Sequence, residues 1–98
     1  MTFQELNDGV TKAAQDAPNM GKSIKLQLDE GNIYIDMTGD EAKVTNEDKE
    51  ADTVIITTVD VIDQLRSGKL NPMMAMMGGK VKVKGDMGLA MKLQDLLK

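Results

Sequence analysis

The chain has 98 residues with 12 basic and 16 acidic side chains, a net charge of −4, and 41% apolar residues, which is one domain's worth of sequence with apolar surface for a single core. Cysteine and histidine are both absent, which excludes disulfides, thiolate or imidazole zinc sites, and Cys- or His-based catalysis. The acidic balance opposes nucleic-acid phosphate, and no apolar run approaches the ~18 residues of a membrane-spanning helix.

Thr2 and Glu5 have capping-box spacing, and Phe3, Leu6, Val10, Ala13 and Ala17 follow at helical intervals until Pro18, so a helix is predicted over residues 3–16. Ser23 to Asp29 alternates polar and apolar residues, as a half-buried strand does. Glu30-Gly31-Asn32 turns, Ile33, Ile35 and Met37 alternate again, and Gly39-Asp40 turns once more. A weaker strand covers Ala42 to Thr45, and residues 46–50 are a polar turn. Thr53 to Thr57 is β-branched throughout, the pattern of a strand buried on both faces. Such short connections predict an antiparallel meander.

Beyond Thr57 the period changes. Thr58 is an N-cap residue type, Val59, Ile62 and Leu65 form a helical stripe, and Gly68 ends it. Asn71-Pro72 starts a second helix carrying Met73, Met74, Ala75, Met76 and Met77, and Gly78-Gly79 closes it. Lys80 to Lys84 alternates as a fifth strand, Gly85 turns, Asp86 caps, and a last helix runs from Met87 to Leu97. The expected fold is α+β: a single domain over residues 1–98, with a five-stranded, mostly antiparallel sheet and helices packed on one face.

Gly79 and Gly85 are too far apart for a phosphate loop, and a strand lies between them. Lys80, Lys82 and Lys84 share a strand face, a solvated face or a weak basic patch for anionic lipid headgroups. The acidic residues between Asp36 and Asp52 fall at turns, match no calcium loop, and offer no acid/base pair. Catalysis is therefore not expected, and neither is a cofactor or a metal.

Six of the nine methionines follow residue 70. On a helix, Met73, Met74, Met76 and Met77 cover an arc of about 160°, more than one short helix easily buries against a small core. Methionine fills irregular cores and also suits surfaces that adapt to varied apolar partners, and both readings are open at this point. In the last helix, Leu89, Ala90, Leu93, Leu96 and Leu97 share a core arc of about 120°, with Met87 and Met91 on a neighbouring sector and Gln94 between them.

Three stretches, Ala51–Thr57, then Gly68-Lys69-Leu70-Asn71-Pro72-Met73, then Gly79–Gln94 with its Lys84-Gly85-Asp86-Met87-Gly88-Leu89 core, resemble the sterol carrier protein 2 family in residues, order and distance. The likeness is strongest over residues 51–97 and is closest to the short stand-alone bacterial members. It lacks the C-terminal extension and peroxisomal signal of animal ones. The resemblance implies an apolar tunnel between sheet and helices for a fatty acid, fatty acyl-CoA, phospholipid or sterol, with Met73, Met77, Met87, Met91 and Gln94 along it. The function it implies is non-catalytic lipid binding and transfer with a long-chain lipid as ligand. The cysteine-free chain is compatible with the cytoplasm, the location expected for it, and Lys80, Lys82 and Lys84 lead to an expectation of transient contact with a membrane surface. An alternative is an accessory protein presenting an isoprenoid quinone or lipid precursor to biosynthetic enzymes.

Overall fold

The structure, a computed structural model, describes residues 1–16 and 21–96, with side chains to Leu93 in the last helix. Helix α1 spans Phe3–Asp16. Its capping box forms as the sequence predicts: the Glu5 amide donates to Thr2 Oγ1 at 3.1 Å, and the Thr2 amide donates to Glu5 Oε1 at 3.2 Å. Leu6, Val10 and Ala14 form its buried stripe. Ala17 and Pro18, assigned from sequence to the end of this helix, and Leu97, assigned to the last one, lie outside the described residues.

Five strands follow the predicted order: β1 (Ser23–Gln27), β2 (Asn32–Asp36), β3 (Lys43–Thr45), β4 (Thr53–Ile56) and, after two helices, β5 (Lys82–Gly85). The sheet order is β3-β2-β1-β4-β5. Three of the four strand pairs are antiparallel, and β1 pairs with β4 in parallel. The sheet is thus mostly antiparallel, but the expected meander is wrong at one connection. β4 lies beside β1 and not beside β3, because residues 46–52 cross the sheet instead of turning back. Along the way Asp48 pairs with Lys25 at 2.7 Å, Lys49 sits 5.9 Å above the Tyr34 ring, and Asp52 accepts the Ser23 amide at 2.9 Å. Lys25 and Tyr34 are register partners on the face away from the core, so the crossing covers the helix-free face.

The other face carries the core. Ile24 and Leu26 of β1 sit beside Ile35 and Ile33 of β2 and Ile55 of β4, all buried. Against them pack α1, α2 (Val59–Arg66) through Val59 and Ile62, and α4 (Met87–Leu96) through Leu89, Ala90 and Leu93. β4 is not buried on both faces as its composition suggests: Thr53 and Ile55 are buried, while Val54 and Ile56 are half-buried. The crossing segment covers the outer face only in part, and β-branched residues suit such a surface.

The junction from β5 to α4 explains the Gly85-Asp86 pair. Gly85 has φ +94 and faces Thr53, and a Cβ there would be driven into the Asp52 carbonyl oxygen, so only glycine fits. The buried Thr53 hydroxyl donates to the Asp86 carbonyl at 3.1 Å and accepts from the Asp86 amide at 3.2 Å. Asp86 then accepts the Leu89 amide at 3.3 Å, capping α4, and pairs with Lys22 at 2.9 Å. Among the described residues, no helix is long and apolar enough to cross a membrane.

Candidate functional site

A cavity of about 70 Å³ lies at the end of the core where α2, α3 (Pro72–Met77) and α4 meet the sheet. Its floor is Leu26 of β1, Ile55 of β4 and Val83 of β5. These positions share a face because Leu26 pairs with Ile55, and Ile55 with Val83. Val81 extends the floor past the strand's start. The Lys80 and Val81 amides both point to the Ala75 carbonyl, at 2.9 and 3.3 Å, which ties this end of β5 to α3.

α2 supplies Ile62 and Leu65. Thr58 caps it, accepting the Val61 amide at 3.1 Å, and Asp29 takes the Val59 amide at 3.1 Å, which fixes the helix on the β1–β2 turn. α3 supplies Pro72 and Met76. Asn71 caps it through the Met73 amide at 2.9 Å, with proline in the first turn where no amide is needed. α4 supplies Met87, Ala90, Met91 and Leu93.

Arg66 is the one charged side chain in this wall among the described residues. Its guanidinium lies beside Gly9 of α1, with Nη1 3.9 Å from the Met1 sulfur. A carboxylate would be costly in such a wall, and none is there. The shifted titrations lie outside it. The hydrogen bond from Lys22 holds Asp86 below the usual carboxylate range, and the same bond raises Lys22. Hydrogen bonds from Thr38 lower Asp36, and the Glu47 carboxylate raises Lys49.

The structure brings together some of the positions named from sequence and separates others. Met87 and Met91 are in the wall, each 48% exposed, so they form its rim and not its depth. Met73 and Met77 are 69% and 84% exposed and do not line the cavity, and Met76 does. The Gln94 side chain lies outside the described residues. Sequence reasoning also passed over Pro72, Leu65, Arg66, Val81 and Val83 as wall positions. The signal for α3 was Ala75, which is fully buried. Pro72, Ala75 and Met76 fall within about 100° of one another around a helix, while Met73, Met74 and Met77 fill the opposite side.

Residues 3–98 match the SCP-2 sterol transfer family. The chain belongs to that family. It is 37% identical over 99 residues to hydroxysteroid dehydrogenase-like protein 2 of Xenopus laevis, a likeness that covers 98% of this chain and 24% of that protein. The SCP-2 chain thus spans about a quarter of the length of this relative. Its fold is similar to the sterol carrier protein domain 2 of Helicoverpa armigera, with a TM-score of 0.75 and 27% identity over 95% of this chain and 83% of that one. It is also similar to sterol carrier protein 2 of Aedes aegypti, solved in complex with palmitate, with a TM-score of 0.69 and 16% identity over 99% and 96% of the two chains. The five-stranded α+β architecture is the SCP-2 fold.

Proposed function

We propose that the chain binds and carries a long-chain lipid of the fatty acid, fatty acyl-CoA, phospholipid or sterol-like kind in the cavity between α3, α4 and the sheet, making and breaking no bond. The observation that carries this reading is the cavity wall: apolar throughout its described residues apart from Arg66. The palmitate in the Aedes aegypti relative supports an acyl chain as the ligand. Each methylene moved from water into the wall contributes about 0.8 kcal/mol, and ordering of chain and protein offsets much of that sum.

At about 70 Å³, the cavity is below the roughly 300–1,000 Å³ of small-molecule sites. An acyl chain therefore enters as the α3–α4 side moves outward. That side is lined by Met76, Met87 and Met91, whose unbranched side chains repack readily. In this reading those three touch the alkyl chain first, and Met73 and Met77 reach it only in the opened form.

The test is lipid extraction from freshly purified protein with native mass spectrometry, followed by titration of a fluorescent fatty acid. Saturable binding with Kd on the order of micromolar, about −8 kcal/mol, is expected. Absence of saturation below about 100 µM refutes the reading. Extraction of an isoprenoid quinone in place of acyl lipid moves it to the accessory role.

A further inference from the structure

We propose that α3 is a docking surface for an anionic lipid bilayer, with Met73, Met74 and Met77 entering the boundary between headgroups and acyl chains and Lys69 and Lys80 meeting lipid phosphates. The three methionines are 69%, 68% and 84% exposed. They occupy an arc of about 100° on the side of the helix opposite the cavity. One exposed apolar side chain needs no explanation, but three long ones on one short helix do.

Charge indicates what covers them. From Gln64 to Gly85 the chain carries Arg66, Lys69, Lys80, Lys82 and Lys84 and no acidic residue, so five of the 12 basic groups and none of the 16 acidic ones fall in this window. Lys69 precedes α3, and Lys80 follows it with its amide on the Ala75 carbonyl, so a cation stands just beyond each end of the helix that carries the methionine arc. All four lysines are exposed. In a chain of net charge −4, this is strong local segregation. An apolar ridge flanked by lysines is the chemistry that recognises an anionic membrane surface. A second copy of the chain would set these cations against their own kind, which is unfavourable. The inner side of the same helix lines the cavity through Pro72 and Met76, so docking places the cavity wall against the bilayer.

The test is co-sedimentation with phosphatidylcholine vesicles, with and without phosphatidylglycerol. The parent should bind the anionic vesicles, with affinity falling as salt rises. At about 1 kcal/mol per lysine near such a surface, Lys69→Gln with Lys80→Gln should weaken binding roughly 30-fold. Met73→Gln with Met74→Gln and Met77→Gln should weaken it about tenfold or more. All five side chains are exposed, so both variants should keep the parent's urea midpoint, and the lysine variant, which touches no cavity wall residue, should keep its fatty-acid affinity within about twofold. Equal binding of the parent to neutral and anionic vesicles overturns the proposal, and so does undiminished binding by either variant. A concentration-dependent dimer that the methionine changes abolish overturns it in favour of a second copy. Failure of the fatty-acid titration would leave the vesicle result standing, so the two readings fail separately.

Discussion

Ala90→Leu separates the cavity from the fold most directly. Ala90 is buried on α4 and lines the cavity. Its replacement adds three carbons aimed into space that the packed protein leaves open. At about 24 cal/mol per Å³, filling the whole 70 Å³ would return at most about 1.7 kcal/mol. Imperfect fit costs about 1–3 kcal/mol in the other direction. The two are of one size, so stability should stay within about 1.5 kcal/mol of the parent. Ligand binding has no such compensation, because the added side chain occupies the ligand's place. Fatty-acid affinity should fall at least tenfold, about 1.4 kcal/mol. Paired urea melts and fluorescent fatty-acid titrations measure both quantities. Parental affinity in the variant would place the ligand elsewhere. A folding cost above about 4 kcal/mol would mean that no usable space lies beside Ala90.

The remaining predictions probe the same corner of the fold. Leu93→Ala should cost about 2–5 kcal/mol in a urea melt, since Leu93 is both core and cavity wall. Met91→Gln, at the half-exposed rim, should cost clearly less yet weaken lipid binding about tenfold; a melt like that of Leu93→Ala would make Met91 core. Gly85→Ala should destabilise by at least ~2 kcal/mol, since its φ and the Asp52 carbonyl both reject a Cβ, whereas Gly39→Ala, with open space around it, should be near neutral. Asp86 is held below its ordinary value by Lys22, so its contribution is complete above the unfolded value of about 3.9 and is lost as pH falls through the folded one. The melting midpoint should therefore drop below about pH 4, and less steeply in Asp86→Asn.

Most of the fold was legible because its signals are local. The capping box at Thr2 and Glu5, the caps at Thr58 and Asn71, and the alternation through Ser23 to Asp36 each report on backbone a few residues away. The parallel pairing of β1 with β4 was not legible in this way. Residues 46–50 are polar and short enough to be a hairpin turn, and nothing local distinguishes a turn from a crossing. What selects the crossing is tertiary. Lys25 and Tyr34 on the outer face offer Asp48 and Lys49 partners, and Ser23 donates its amide to the Asp52 carboxylate and accepts the Asp52 amide on its hydroxyl. The start of β5 is a similar case. Lys80 and Val81 alternate as a strand should, but their amides are drawn to Ala75 on α3, so the ladder begins only at Lys82.

The methionine arc on α3 shows where sequence reasoning about the site ran out. Four methionines over about 160° are too many for one contact, and the sequence offered two explanations for them, core filling and adaptable surface. Helical phase divides them between inside and outside. Ala75 has only a methyl to hold the helix away, so the backbone approaches the core at that position and Pro72 and Met76 turn inward on either side of it. Met73, Met74 and Met77 are then directed outward by geometry, whatever their hydrophobicity. Exposing three apolar side chains is unfavourable in water, and replacing each with a polar residue would remove that penalty without touching the core. Their outward position makes sense if α3 works from both sides, with a cavity behind it and an apolar phase in front. The cations at both ends of the same helix indicate which apolar phase that is.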